Sequence, residues 1–324
     1  MRGKTAAFIV SGAVALAGCG SGASGPKAPT SQSQAPTSTA VSKINVVYAG
    51  SLANINDNVI GPAFRKATGI TYQGQGGGSF AMAKELSSHL IAGNVFESIG
   101  TAPIQSLEPK QTTWAVRVSS TPLVIAYNPH SPDAPYFKRV AEGQVPLKNF
   151  FEFLTSHPVH IGRTNPATDP QGQAFYEMME LAQLRYHLPS GTVQKILGPW
   201  NNPRQVYSEE GLPTELQSGG LDIASAFLPE VIQDKLSYIP LPGWLNFSVA
   251  KNASWYAKAS INLPSGKVTG GVLAVWATAL NQSSVGTRFV KYLLAHENLL
   301  KKYGYPPLSP VIQGTGAPSG IKNG

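Results

Sequence analysis

From residue 44 onward, apolar and polar positions alternate in short blocks. Ile44-Asn45-Val46-Val47-Tyr48 is an apolar-rich run closed by Ala49-Gly50-Ser51, which predicts a strand and a turn. A helix is expected over 55–68, stopped by Gly69, and a second strand over 70–73. Gly76-Gly77-Gly78-Ser79 then leads into a helix over 80–92, whose Met82, Leu86 and Leu90 repeat every four residues on one face. Further strands are predicted over 121–127, 159–163, 223–227, 236–241 and 272–276. Helices are predicted over 171–187, with Phe175, Met178 and Ala182 on the buried stripe, and over 208–217 and 284–303. Strands alternating with helices predict α/β architecture with largely parallel sheets, and ligands then sit off the carboxyl ends of the strands. The length favours two α/β lobes with a ligand cleft between them, one from 44–125 with 243–324 and the other from 126–242.

The first 43 residues follow a different pattern. Arg2 and Lys4 precede an apolar stretch, Ala6 to Leu16, too short to span a bilayer. Leu16-Ala17-Gly18-Cys19 resembles a bacterial lipobox, so residues 1–18 read as a signal peptide and Cys19 as a lipidated N-terminus. Residues 19–43 are rich in Ser, Thr, Gly, Pro, Ala and Gln and read as a flexible tether. More than one acyl chain on Cys19 would hold the protein stably on a membrane. Cys19 is the only cysteine, so once it is lipidated no thiol remains for a disulfide, a zinc cluster or a nucleophile.

Composition narrows the partners. The net charge is +8, but Lys and Arg are scattered, with no run resembling a nucleic-acid arm. No nucleic-acid partner is expected, and a mild basic excess suits an anion or an anionic membrane surface.

Two turns carry candidate chemistry. Gly50-Ser51 and Gly78-Ser79 each place a serine after glycine at an expected helix start. A helix N-terminus offers unpaired N–H groups and partial positive charge, and it binds anions without a formal cation. Two such ends facing one another would cage a tetrahedral oxyanion with neutral donors. Taken singly, each serine also fits a plain helix cap. Asp169-Pro170 fits a cap followed by the preferred first helical residue. In its functional reading, the carboxyl or the N–H groups at Gln171 and Gly172 face the ligand. A bare carboxylate repels an anion, so Asp169 helps only if it is protonated or reaches a central metal atom.

Enzyme chemistry is not expected. The chain has no Gly-x-Ser-x-Gly elbow and no Walker A motif, and Ser79 stands where a dinucleotide fingerprint needs its last glycine. His157 and His160 flank Pro158 and read as surface residues. Arg163 reads as half of a structural ion pair or as an anion contact, and Trp244, Trp255 and Trp276 as core.

The order of several short motifs adds a family likeness. Ala49-Gly50-Ser51-Leu52, Gly77-Gly78-Ser79, Thr121 to Tyr127, Asp169-Pro170-Gln171-Gly172, Leu216 to Asp222 and Tyr303-Gly304-Tyr305-Pro306-Pro307 follow one another at characteristic spacing. In these the chain resembles the periplasmic molybdate/tungstate-binding proteins of ABC transporters, a branch of the type II solute-binding proteins. The resemblance implies an oxyanion held by Ser51, Ser79 and backbone N–H groups near Gln171 and Gly172 and near Glu209 and Glu210. In the archaeal-type branch two carboxylates also approach the metal of the oxyanion. Asp169 matches the first, but the second falls at Ala226, and Phe227 stands where another branch has tyrosine. Glu230 lies nearby but out of register. The resemblance further implies an extracytoplasmic monomer, lipid-anchored in the periplasm or at the cell surface. It would have no resident cofactor and would deliver molybdate or tungstate to an ABC permease. The same fold binding sulfate, phosphate or a small organic acid is the alternative.

Overall fold

The chain lays down β1 (Lys43–Ala49), β2 (Thr71–Gly77), β3 (Val95–Ile99) and β4 (Trp114–Ser120), then β5 (Leu123–Tyr127), β6 (Ile161–Gly162), β7 (Ile223–Phe227) and β8 (Ser237–Ile239). It continues through β9 (Ser260–Leu263) and β10 (Gly266–Thr269) and returns for β11 (Ala274–Ala279) and β12 (Ile312–Gly314). This is a computed structural model describing residues 43–324. The expected signal peptide, Cys19 and nearly all of the expected tether lie outside the described residues.

Two sheets form the centres of the two lobes. The first has six strands in the order β12-β4-β11-β3-β1-β2, and the second has four in the order β6-β7-β5-β8. Only β2, β1 and β3 in the first sheet, and β6 with β7 in the second, pair in parallel. The sheets are therefore mixed, not largely parallel as expected. Local helical crossovers wind β1, β2 and β3 in one direction, as such connections must. Strands arriving from the other lobe run against their neighbours: β11 against β3 and β4, and β5 against β7 and β8.

Sheet membership changes at Thr121-Pro122, so the strand expected over 121–127 begins only at Leu123. The crossing segments hold one another: the Thr121 N–H donates to the Leu273 carbonyl at 3.4 Å and the Leu123 N–H to the Asn246 carbonyl at 3.0 Å.

Three local differences have physical causes. β2 runs through Gly74, Gly76 and Gly77 instead of ending at Gln73, because the Tyr48 ring fills the space that side chains at Gly74 and Gly76 would need and Met82 the space at Gly77. A Cβ at Gly76 would lie 2.7 Å from that ring. The helix after β2 is Ser79–Ser87, so Met82 and Leu86 are buried but Leu90, beyond its end, is 77% exposed. The long C-terminal helix is two, Ser284–Ala295 and Glu297–Lys302, parted at His296. The helix Pro170–Tyr186 agrees with expectation, and Phe175, Met178 and Ala182 are all buried. Burying a large side chain of this kind contributes about 1.5–3 kcal/mol.

Candidate functional site

The pairing of β1 with β2 sets the first half of the site. Ala49 lies opposite Gly77, so Ser51 and Ser79 each stand two residues past a matched pair. Neighbouring parallel strands are about 4.8 Å apart, so two serine-bearing helix starts sit side by side at one sheet edge. The first leads a continuous helical run over 50–68, and the second begins the helix Ser79–Ser87. They do not face one another as expected, because parallel neighbours in one sheet leave it in the same direction. What faces them comes from the second lobe.

Neither serine caps its own helix. The Ser79 hydroxyl accepts from the Ile99 N–H at 3.2 Å. Among the described residues, the Ser51 hydroxyl is buried with no partner. A buried hydroxyl without a partner is costly, so this one is available to a ligand. The two glycines permit a close approach of the opposing lobe. A Cβ at Gly50 would lie 2.5 Å from Glu209 Oε2 and 2.6 Å from Glu210 Oε1, and one at Gly78 would lie 2.8 Å from the Thr168 carbonyl oxygen. Across the cleft, the Phe80 N–H donates to the Thr168 carbonyl at 3.1 Å and Asn54 Nδ2 to Asp234 Oδ1 at 3.1 Å.

The opposing wall starts at the N-terminus of the helix Pro170–Tyr186. Asp169 Oδ1 accepts from the Gln171 N–H at 2.7 Å, an N-cap. The Gln171 amide is thus spent on Asp169 and is not the free donor expected. Gly172 serves packing: a Cβ there would lie 2.3 Å from the Thr164 carbonyl oxygen. The side chain of Gln171 does the reaching instead. Its Nε2 donates to Glu209 Oε1 at 3.2 Å and to Glu230 Oε2 at 2.9 Å, and its Oε1 accepts from the Ser225 hydroxyl at 2.6 Å.

Glu209 and Glu210 were expected to offer backbone N–H groups. The structure instead turns their carboxyls toward Gly50, and Glu209 is 4% exposed. Glu230, set aside for its register, joins the same cluster. It is the third residue of the helix Leu228–Gln233 and reaches back to accept from the Phe227 N–H at 2.5 Å. A Glu at that helical position after a strand was the signal that could have placed it. Ala226 lies on the other face of β7, among Leu212 and Leu216, so the departure at that position leaves no gap beside Gln171.

Three carboxyls therefore crowd one dry junction. Burial pushes Asp169 up to about 7, with the Gln171 N–H pulling partly the other way. Burial pushes Glu230 up to about 8, against the Phe227 N–H. Burial first, then the charges of Asp169 and Glu230, raises Glu209 well above the ordinary carboxyl range. Close carboxyls in low dielectric cannot all ionise, so at neutral pH the cluster holds protons and can donate as well as accept. A cavity of about 380 Å³ opens onto it, with Gly50, Ser51, Glu209, Glu210 and Glu230 in its walls. Among the described residues, no group of three or more His, Cys, Asp or Glu is arranged to hold a metal ion.

The other candidates lie apart. His157 and His160 are exposed. Arg163 is fully buried, yet it contacts neither a carboxylate nor the cleft cluster. Its guanidinium donates to the Trp200 and Pro199 carbonyls at 2.9 and 3.0 Å and lies 5.8 Å from the Tyr176 ring centre. Trp244 and Trp255 pack edge to face at 6.3 Å against the core.

Comparisons with known proteins bear on this arrangement. The profile of a family described as bacterial extracellular solute-binding protein matches residues 44–306. A solute-binding protein of Saccharolobus solfataricus, itself uncharacterised, is 28% identical over 292 residues, covering 83% of this chain and 71% of that protein. The molybdate/tungstate-binding protein WtpA of Thermococcus kodakarensis is 27% identical over 297 residues, covering 83% of this chain and 82% of the other. Among solved structures, the periplasmic molybdate-binding protein of Azotobacter vinelandii matches with a TM-score of 0.54 at 16% identity, over 81% of this chain and 98% of that one. That likeness is one of fold.

Proposed function

The chain belongs to the bacterial extracellular solute-binding protein family, and from that premise we propose that it captures a tetrahedral oxyanion of the molybdate or tungstate type for an ABC permease. The observation that carries the reading is the pair of serine-bearing helix starts, side by side through the Ala49–Gly77 register, with the Ser51 hydroxyl buried and unpartnered. The name of WtpA supports the choice of anion.

The anion enters between the Gly50-Ser51 and Gly78-Ser79 turns of one lobe and the Asp169, Glu209 and Glu230 carboxyls of the other. N–H groups and hydroxyls of the first lobe donate to its oxygens. The carboxyls meet it in their protonated form, so that they donate instead of repelling. Charge-assisted hydrogen bonds of this kind contribute about 1.5–3 kcal/mol each. Lobe closure brings the two walls together and presents the closed form to the permease. A lipidated Cys19 would keep the protein at the membrane, with residues 19–43 as its tether.

Calorimetric titration with molybdate, tungstate, sulfate and phosphate tests the reading. Tight binding of the first two with weak or no binding of the others supports it. No heat from either metal oxyanion, with protein that remains folded, refutes it.

A further inference from the structure

A second cavity, of about 340 Å³, lies between the lobes and is separate in its chemistry from the carboxyl cluster. Phe80 and Pro170, next in the chain to Ser79 and Asp169, form one edge of it. Its walls bring together residues of both lobes: Phe80, Phe247 and Trp276 from one, and the helix Pro170–Tyr186, through Ala174 and Glu177, from the other. Apart from Glu177, no wall residue carries an ionisable side chain. Glu177 is 4% exposed, and among the described residues its side chain makes no hydrogen bond and its Oε1 is buried without a partner. Glu180, one turn on, is engaged elsewhere, its Oε2 accepting from the Ser260 N–H at 2.8 Å.

Burial raises Glu177 to about 8, so it rests largely as the neutral acid at pH 7, and a cation placed beside it favours the ionised form. Among the described residues, no Lys or Arg lines this cavity to supply one. Aromatic faces attract cations through their negative π-clouds, most strongly where water is excluded. A cavity that holds one carboxyl and has the partly exposed Phe80 and Trp276 in its walls is therefore complementary to an organic cation and poorly matched to an anion. We propose that this interlobe cavity, with Glu177 as its charge partner and Phe80, Phe247 and Trp276 as its walls, binds a small alkylammonium or quaternary ammonium ion. The ligand class is opposite in charge to that of the oxyanion site, so the two sites do not compete for one solute.

Trp276 in the wall supplies an intrinsic fluorescence signal. The full chain is titrated with choline and with its neutral isostere 3,3-dimethyl-1-butanol, by fluorescence and by calorimetry. Choline is expected to bind at least about tenfold more tightly than the isostere. Glu177→Gln keeps the size of the protonated carboxyl and is expected to weaken choline by about tenfold while leaving molybdate titration unchanged. Val272→Trp fills the cavity from its rim and is expected to abolish choline binding. The proposal is overturned if choline gives no signal, if the isostere binds as well as choline, or if V272W still binds choline normally. Unchanged choline affinity in a folded E177Q protein would also overturn it. Loss of molybdate binding with choline binding intact would count against the oxyanion reading alone.

Discussion

Raising the pH from 6 to 9 should weaken oxyanion binding steeply, and the size of the loss follows from the carboxyl cluster. In the unliganded protein burial raises Asp169 to about 7 and Glu230 to about 8, and burial with the neighbouring carboxyls also raises Glu209 well above the ordinary carboxyl range. A dianion placed beside them favours their neutral forms further, so the complex keeps protons that the free protein has lost. At pH 9 reprotonating Asp169 costs about two decades and Glu230 about one. That sums to about three decades, or about 4 kcal/mol at 1.36 kcal/mol per decade. Below pH 6 both are already neutral and affinity levels off. Glu210 and Asp234 also face the cleft and add repulsion of the same sign. The assay is calorimetry at constant ionic strength in two buffers of different ionisation heat, which counts protons taken up on binding. The expected result is uptake of about one to two protons near pH 8 and at least a tenfold loss of affinity by pH 9. Affinity that stays flat from pH 6 to 9, or proton release on binding, would refute the view that these carboxyls meet the anion as donors.

Other outcomes separate binding from stability. Ser51→Ala removes a hydroxyl with no protein partner, so it should weaken molybdate by at least about tenfold while leaving the melting temperature nearly unchanged. Ser79→Ala should also weaken molybdate, but it orphans the buried Ile99 N–H and should cost about 1–3 kcal/mol in chemical denaturation. Gly78→Ala drives a Cβ against the Thr168 carbonyl across the cleft; small-angle scattering with saturating molybdate should then show less compaction than for the unaltered chain. Glu97, buried in β3, is pushed up to about 8, so its folded form favours the neutral acid. Its contribution is present below the ordinary carboxyl pKa and is lost as pH rises through 8. Urea midpoints should fall over that range, and Glu97→Gln should flatten the fall.

Much of the fold was legible because its strands and helices carry strong local signals. β1, β5 and β7 are short apolar runs, and Gly69 ends its helix with a φ of 74°, as the pattern required. β3 carries no strong local signal because Glu97 and Ser98 interrupt its apolar run, although all five of its residues are buried. β2 extends beyond its sequence signal because glycine normally marks a turn, whereas Gly74 and Gly76 here make room for the Tyr48 ring. The serine turns and Asp169 were legible as helix starts. Their neighbours across the cleft were not, since nothing local links Gln171 to Glu209 and Glu230, 38 and 59 residues away. Backbone amides at Gln171 and Glu209 were expected to face the ligand because helix starts usually offer them. The structure uses one for a cap and substitutes the side chains.

The two lobes contribute different chemistry to the cleft, and that division explains why closure and protonation belong together. The first lobe brings helix starts, serines and glycines, none of which titrates in the physiological range. The second brings Asp169, Glu209 and Glu230, all tied through caps or through Gln171 to rigid helix ends. Their raised pKa values come first from burial, and part of that burial is supplied by the approach of Gly50 and Gly78. Opening the cleft would let water back to the carboxyls, lower their pKa values and restore negative charge beside the exit path. An anion inside a closing cleft thus meets a wall that becomes less repulsive as it shuts, and an anion in an opening cleft meets one that grows more so. On the proposed reading, release to a partner that pries the lobes apart would be favoured by the same groups that tolerate the anion when they are together.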